Sequence, residues 1–497
     1  MRETFRTHMG WLHSWIGFLG GLVLTAIFAT GTLAVFDKEI TQWMQPEVVL
    51  KAKSVTATPV ALHHAAETMQ AEQQQGRFAF ITLPSWRDPV IRVLHYDGHE
   101  FIGPVLDPID GHLFPARQTA GGQFFFDFHF ALRSGPVLGC TIVTILGICL
   151  LVAIGSGIAI QIKAMWPDLI VFRPFGARPR AWLDAHLITG VLFLPFLIMI
   201  TYTGTAIRAR GILPPHPLLV AQHTEQPAQK ADDRPKGGRK ATAQQTDLPP
   251  PPLAPLIAEA KERLQTDKCE LILFSKTEVR IFRSDEASLF LSRDMVSFSR
   301  ADGHYLGTHI QKGAAAKTTQ LIHGLHYARF STRLLLWLYF VSGFACTVLM
   351  ASGLVLFLIK RRKNAGNRIM FRLAEGLTLA TFIGLPISIM GLFWANRLLP
   401  VNMPERLSAE TDVFFALWAL SCLHGVLFSM LKKPLIGWQL QITALAIMAM
   451  GVPVLDICSQ THSWLHDATR YYVLDILAFL LGISALFSLT ILKRRSV

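Results

Sequence analysis

Eight apolar runs constrain this chain more than anything else in its sequence. They lie near residues 11–36, 136–161, 182–207, 334–359, 373–395, 411–431, 436–455 and 471–492. Each approaches or exceeds the ~20 residues that carry a helix through a bilayer. Inside lipid the backbone must satisfy its own polar groups, so runs of this length become helices. Composition agrees, with 51% hydrophobic residues, only 16% charged and a mean hydropathy of +0.37. A soluble chain carries about a quarter charged residues. The fold class expected is therefore a polytopic α-helical membrane protein with about eight transmembrane helices. A soluble enzyme, a DNA-binding protein and a secreted disulfide scaffold are excluded.

The first run has the place of a signal peptide, but it is too long and no small-x-small cleavage site follows it, so it reads as a retained helix. The net charge of +13 is not spread as nucleic-acid binding requires. It sits in short segments: Arg2 and Arg6; Lys163, Arg173, Arg178 and Arg180; Lys360, Arg361, Arg362, Lys363, Arg368 and Arg372; Lys432 and Lys433; Lys493, Arg494 and Arg495. All five clusters fall on one side if both termini are cytoplasmic. The long hydrophilic segments, about 37–133 and 208–332, then face outward. The six cysteines are scattered, four of them (Cys140, Cys149, Cys346, Cys422) inside apolar runs, with no Cys-x-x-Cys. A disulfide framework, a zinc ribbon and covalent c-type haem are not expected.

Each hydrophilic segment reads as a small α+β domain. In the first, a helix over Pro59–Gln75 precedes strands at Phe78–Leu83, Val90–Tyr96 and Phe101–Leu106, with turn signals at Asp97-Gly98 and Asp110-Gly111. In the second, a helix over Leu253–Leu264 precedes strands near Leu271–Phe274, Glu278–Phe282 and Ser288–Leu291. Residues 221–252, rich in Gln, Lys, Ala and Pro, cannot bury a core and read as a linker.

An internal repeat organises the first two thirds of the chain. His13, Gly17 and Thr30-Gly31-Thr32 recur as His186, Gly190 and Thr203-Gly204-Thr205, both spaced His-x3-Gly-x12-Thr-Gly-Thr. His129 precedes Cys149 by 20 residues, as His326 precedes Cys346, and Ser156-Gly157 and Ser352-Gly353 match with a one-residue shift. The unit is helix, outer domain, helix, occurring twice. The chain thus divides into repeat unit A (1–163, with its outer domain at about 37–133), repeat unit B (178–363, with the linker and an outer domain at about 253–320) and a C-terminal bundle of four helices (373–497).

The repeated histidines carry the candidate chemistry. His13 and His186 lie near the cytoplasmic ends of their helices, His129 and His326 at the outer entrances of theirs. Two imidazoles at each level suit a six-coordinate b-type haem, held by one imidazole from each side. Gly17 and Gly190, one turn after a ligand, would leave room for the flat macrocycle, and Arg133 and Arg329 could pair with its propionates. The plain alternatives are interfacial histidines that only hydrogen-bond, and glycines that serve helix packing. Duplication favours the ligand reading, because the retained residues include the histidines. His323, which matches Phe126, is a reserve ligand. His424 in span six is either a buried hydrogen-bonded histidine or a cofactor or quinone contact. His462 and His466, spaced i, i+4, read as a solvated face, nothing distinguishes His112, His304 and His309, and Asp475 reads as a helix-packing hydrogen bond.

No dinucleotide loop, Walker A motif, His-Glu-x-x-His or Gly-x-Ser-x-Gly is present, and no cytoplasmic segment is large enough to hold a flavin or nicotinamide. An oxidoreductase of this build takes its electrons from a separate cytoplasmic or membrane donor.

Three stretches resemble the PepSY-associated transmembrane proteins of bacteria. They are Thr7-His8-Met9-Gly10-Trp11-Leu12-His13-Ser14-Trp15-Ile16-Gly17, Val105-Leu106-Asp107-Pro108-Ile109-Asp110-Gly111, and the Leu325-His326 entry to span four. The resemblance covers roughly residues 5–363. It implies an inner-membrane haem protein of the ferrisiderophore reductase type, with periplasmic domains, that passes electrons outward to Fe(III)-siderophore. His13, His186, His129 and His326 would inherit the axial-ligand role toward haem b, two per chain. The 17 residues from His13 to Thr30 span about 25 Å of helix, so two haems would bridge most of the bilayer. One departure stands out: the second outer domain has only Ala301-Asp302-Gly303-His304 where the first has its Asp-Pro turn. Two further readings stay open. One is a siderophore or iron permease, against which stand the few mid-membrane acids and the absence of visibly broken helices in spans one to four. The other is a regulatory scaffold whose PepSY domains bind peptides.

Overall fold

The computed structural model describes residues 2–50, 56–97, 100–161, 173, 178–209, 249–459 and 468–494. Most of the expected linker (221–248), His462, His466, Lys163, Arg495 and Gly98 of the Asp97-Gly98 turn lie outside the described residues. The described chain separates into two compact units.

The first unit comprises residues 1–44, 119–205 and 335–497 and is helical. Its long helices are α1 (Arg2–Ala34), α5 (Cys140–Gln161), α6 (Arg178–Leu192), α7 (Leu194–Ala209), α10 (Arg333–Ala365), α11 (Ile369–Leu379), α12 (Leu385–Leu398), α13 (Arg406–Met430), α14 (Pro434–Ser459) and α15 (Ala468–Arg494). Two short helices complete it, α2 (Asp37–Met44) and α4 (Gln123–Ala131). Among the described residues seven spans are long and apolar enough to cross a membrane, and the α6–α7 pair makes an eighth if its two halves count as one. This is a multi-pass membrane protein.

Span three departs from expectation. It is broken, with α6 and α7 bent by 67°. The cause is legible in hindsight, since Pro195 has no backbone N–H and its ring displaces the carbonyl one turn earlier. Span five carries a milder irregularity. A π-helical turn, Ala380–Gly384, joins α11 to α12 just before Pro386. Leu24 and Ile27 (α1), Leu150 and Ala153 (α5), Leu197 (α7), and Cys346 and Leu349 (α10) form the buried core of the repeated helices.

The second unit comprises residues 45–118 and 206–334. Here the two hydrophilic segments do not build separate sheets. β1 (Ala79–Thr82), β2 (Ile91–Tyr96), β3 (Phe101–Ile102) and β4 (Val105–Leu106) come from the first segment, β5 (Cys269–Phe274), β6 (Glu278–Arg283), β7 (Met295–Ser299) and β8 (Tyr305–His309) from the second. They form one sheet in the order β3-β2-β1-β5-β6-β7-β8, with β4 also on β2. The join is antiparallel, Ile81 opposite Ile272 and Phe80 opposite Leu273. Pairing β1 with β5 gives each half-sheet a partner on the edge it would otherwise expose.

Alternation drives the core. Ile81, Ile91, Val93, Ile272, Val279, Ile281, Val296 and Phe298 point to one fully buried face. That face is covered by Ala61, Leu62, Ala65 and Met69 of α3 (Pro59–Gln74) and by Leu256, Ile257 and Ala260 of α8 (Leu253–Arg263). Each fully buried aliphatic side chain contributes about 1.5–3 kcal/mol. Thr58 starts α3 as a cap, accepting from the Ala61 amide at 3.1 Å, with Pro59 at the first helical position.

Two strand expectations need correction. Ser288–Leu291 is not a strand, because the Ser288 hydroxyl takes the Phe290 amide at 3.1 Å and turns the chain locally. The strand is Met295–Ser299, where Val296 and Phe298 alternate with serines, and β8 follows it. The apparent difference between the two domains' turns also disappears. In the first, the Gly111 amide donates to Asp107 O (3.0 Å) and the Asp107 amide to His112 O (2.8 Å). In the second, Gly303 donates to Ser299 O (2.9 Å) and Ser299 to His304 O (2.8 Å). Gly111 and Gly303 sit at φ +72° and +76°, where glycine is favoured. The same turn recurs without the Asp-Pro signature.

Candidate functional site

His13 and His186 come together inside the helical unit, with ring centroids 6.2 Å apart and planes at 75°. Each ring is held from behind by a backbone carbonyl on the next helix: His13 Nδ1 lies 2.9 Å from Ala153 O, and His186 Nδ1 lies 3.1 Å from Leu349 O. A carbonyl can only accept, so Nδ1 carries the proton and Nε2 keeps its lone pair. Serines reinforce both contacts. Ser156 Oγ donates to Ala153 O (2.9 Å) and lies 3.4 Å from His13 Nδ1; Ser352 Oγ donates to Leu349 O (2.9 Å) and lies 3.1 Å from His186 Nδ1.

The glycines that follow these serines now have a reason. A β-carbon on Gly157 would come 3.1 Å from His13 Cε1, and one on Gly353 would come 3.2 Å from His186 Cε1. Gly157 and Gly353 are each four residues after the accepting carbonyl. On a helix that position overhangs the carbonyl, and a side chain there would bar the incoming ring. His129 obeys the same rule: Nδ1 lies 2.8 Å from Ile27 O, and a β-carbon on Gly31 would lie 2.5 Å from that nitrogen. Thr30-Gly31-Thr32, the first copy of that repeat, is therefore a histidine-docking feature as well as a helix contact. The last threonine of each copy docks on a glycine: Thr32 Oγ1 fills the space beside Gly343, and Thr205 Oγ1 the space beside Gly147. Gly147 and Gly343 are 196 residues apart, as are Gly157 and Gly353, a correspondence the sequence comparison missed.

The other site residues are placed as follows. His129 is not in span two but on the short helix α4, which left-handed Leu132 and Arg133 (φ 51° each) separate from α5. His326 occupies the last turn of a similar helix, α9 (Ala314–Tyr327), in the second unit, with left-handed Ala328 following and its ring 5.7 Å from that of Tyr327. His323, the reserve ligand, bonds its own helix, Nδ1 to Thr319 O at 2.7 Å. A β-carbon on Gly17 would meet nothing within 4 Å, so the space beside it is open; one on Gly190 would press on Leu349 at 3.2 Å, so that glycine serves packing. The Arg133 guanidinium lies over the Phe124 ring at 5.0 Å. Arg329 is among the charges near Tyr327, whose phenol burial pushes up.

The residues present fit a bis-imidazole haem. Two metal–imidazole bonds of about 2 Å, with the breadth of the rings, put centroids about 6 Å apart, close to the spacing of His13 and His186. An acceptor bonded to Nδ1 is the usual way such ligands are oriented. Among the described residues no three His, Cys, Asp or Glu side chains converge as a metal site, but haem needs only two axial donors.

A family model described as "PepSY-associated TM region" matches residues 10–360. The chain belongs to that family. The match takes in all four repeated histidines and ends before α11, so the C-terminal bundle lies beyond the PepSY-associated region. An uncharacterized protein of Pseudomonas aeruginosa is similar, 25% identical over 349 residues that cover 63% of this chain and 82% of the relative.

That bundle is built around buried ions which the sequence reading did not foresee. Arg406 pairs with Glu410, and Glu410 also accepts from Asn396 Nδ2 (2.9 Å), Thr119 Oγ1 (2.7 Å) and the Ala120 amide (2.9 Å). Arg397 pairs with Asp456 at 2.6 Å and lies over the Trp43 ring at 3.9 Å. Asp475 accepts from Trp43 Nε1 at 3.3 Å. The hydrogen bond expected of Asp475 therefore exists, but to the short helix α2.

Proposed function

We propose that this protein is an inner-membrane b-type haem oxidoreductase that carries electrons across the bilayer to reduce periplasmic ferric iron, as Fe(III)-siderophore. The observation behind it is the symmetric seating of His13 and His186, each with Nδ1 tied to a carbonyl so that Nε2 keeps its lone pair, and with the two rings 6.2 Å apart. Haem, when bound, supplies the one-electron couple. The chain's residues do the rest: Ala153 and Leu349 fix the imidazole tautomer, Ser156 and Ser352 stiffen the carbonyls, and Gly157 and Gly353 clear the approach.

His129, held in the same manner at Ile27, is the ligand candidate for a second haem in the helical unit, and the sequence repeat alone assigns the same role to His326. Ile27 is 14 residues beyond His13 on α1, about 21 Å of helix, which separates two redox levels along one bilayer-spanning rod. Hard oxygen donors hold Fe(III) more tightly than Fe(II), so one-electron reduction releases the metal and needs no acid–base residue. Both termini and the basic clusters would face the cytoplasm and the β-sheet unit the periplasm.

The bend in span three favours a second reading, a carrier, since broken helices are common at transport sites. One experiment separates the two. The purified protein is examined oxidised and dithionite-reduced, with haem quantified as the pyridine haemochromogen. Low-spin b-type bands at about two haems per chain are expected; a colourless protein expressed with ample haem would overturn the reductase reading.

A further inference from the structure

The second cluster of interest lies in the C-terminal bundle, at Gln441, His424 and Ser421. Gln441 on α14 is 4% exposed. Its Nε2 donates to Ser421 O (2.8 Å) and to His424 Nδ1 (3.1 Å), which uses both N–H groups. The Ser421 carbonyl can only accept, so the amide cannot be reversed. His424 Nδ1 is then an acceptor, and the imidazole proton sits on Nε2.

That N–H has no hydrogen-bond partner among the described residues, and neither does the buried Gln441 Oε1. His424 is half-buried on a face of α13 whose leucines, Leu420, Leu423 and Leu427, are 60%, 67% and 49% exposed. In a membrane-spanning helix that face meets lipid, where an unsatisfied polar hydrogen is costly. Something from the bilayer must supply an acceptor.

The surroundings say what kind. The His424 ring lies 4.6 Å from Phe428, with planes 38° apart. Ser421, three residues before His424, packs on Gly384 of the π-helical turn Ala380–Gly384, a distortion that often marks functional sites. A β-carbon on Gly384 would come 3.6 Å from Gln441 Oε1. Phe382 of the same turn contacts Trp438 (5.8 Å) and Trp182 (6.2 Å), and Trp182 is one helical turn before His186. Three aromatic residues, Trp438 on the helix of Gln441, Phe382 and Trp182, thus run from the neighbourhood of this polar island to the helix that carries His186.

We propose that His424 anchors a bilayer-accessible site for the ring of a lipid-soluble quinone, with Nε2–H donating to a quinone carbonyl and Phe428 flanking the ring. A quinone supplies what the site lacks: a carbonyl acceptor, a flat apolar ring and solubility in the membrane. Its role as electron source rests on the reductase reading; its binding does not. Oxidation of one quinol to quinone releases two electrons and two protons. Two ferric ions take one electron each to become ferrous, and the protons go to water.

The test uses the full chain in lipid nanodiscs, titrated with a short-tailed benzoquinone while tryptophan fluorescence is followed. Saturable quenching is expected, weakened about tenfold in His424→Leu, the loss of one hydrogen bond, and partly restored in His424→Gln, which returns an N–H. Leucine suits the lipid-facing side of the position but removes the acceptor of one Gln441 N–H, so the thermal midpoint of each variant is read beside the titration, and the affinities are compared in protein that unfolds at the unsubstituted midpoint. Non-saturable quenching of the unsubstituted protein, or equal affinity in His424→Leu, would overturn the site. The dithionite-reduced spectrum of the same sample keeps the two proposals apart. A colourless protein that binds quinone saturably defeats the reductase reading alone, and a haem-loaded protein that binds none defeats the quinone site alone.

Discussion

Gly31 and His129 are in contact at a distance no other residue type allows: a β-carbon on Gly31 would lie 2.5 Å from the imidazole Nδ1, which is itself bonded to Ile27 O. The glycine is what admits the ring to the carbonyl. Gly31→Ala should push His129 off Ile27 and cost about 1–3 kcal/mol as an overpacking change. On the proposed function, haem content should fall from two to one per chain while the His13–His186 pair keeps its own. A G31A protein with unchanged haem content and unchanged thermal midpoint would show that the contact relaxes freely.

The equivalent changes at the paired histidines should act together. Gly157→Ala and Gly353→Ala would each place a methyl group 3.1–3.2 Å from a ring carbon, a tighter fit that the neighbouring side chain can partly absorb. Each should perturb ligation less than Gly31→Ala does. The expected signature is a shifted low-spin spectrum with haem retained, whereas His13→Ala or His186→Ala should abolish the inner haem. Identical spectra in G157A, G353A and the unsubstituted protein would argue that these rings are not ligands.

Much of this was readable in the sequence, and what was not has physical causes. Spans announce themselves because each apolar run must be a helix, and the repeated His, Gly and Thr residues keep their spacing because helix geometry fixes it. The reason for Ser156-Gly157 and Ser352-Gly353 was hidden, since it depends on a carbonyl four residues earlier meeting a ring from another helix. The shared sheet was equally hidden: Ile81 and Ile272 alternate properly within their own segments, and nothing local says that β1 will choose β5. The break at Pro195 could have been seen. The ions Arg406–Glu410 and Arg397–Asp456 sit at helix ends, where hydropathy treats them as flanks.

Outside the membrane helices, His95 sets a pH dependence. It is buried on β2, with Nδ1 3.1 Å from Glu72 Oε2. Burial lowers its pKa below the usual 6.5, against the pull of Glu72 and Asp97 and with the push of Arg77. The unfolded chain therefore takes up a proton near pH 6.5 that the folded chain does not yet bind, so stability falls as pH drops below that value toward the folded pKa. His95→Gln should remove that part of the acid sensitivity. Amide exchange along β2, compared at pH 7.5 and 5.5 in both proteins, checks it. Equal acid loosening in the two would assign the effect elsewhere.

The two acids of the Arg397 cluster should respond oppositely to the same substitution. Asp456 neutralises Arg397, whose guanidinium also donates to Trp43 O and Asn396 Oδ1. Asp456→Asn leaves a buried cation without its counter-charge and should cost about 3–5 kcal/mol. Asp475 accepts a 3.3 Å bond from Trp43 Nε1, and its carboxyl sits beside that of Asp456, close enough for like-charge repulsion and for a carboxyl–carboxyl hydrogen bond. An asparagine at 475 keeps an oxygen for Trp43 and removes the like charge, so Asp475→Asn should be neutral or stabilising by about 1 kcal/mol. Thermal unfolding of both variants in the same detergent decides the matter. A large loss in D475N would mean that the Asp475 charge itself holds the bundle together, with Arg397 shared between two carboxylates rather than committed to one.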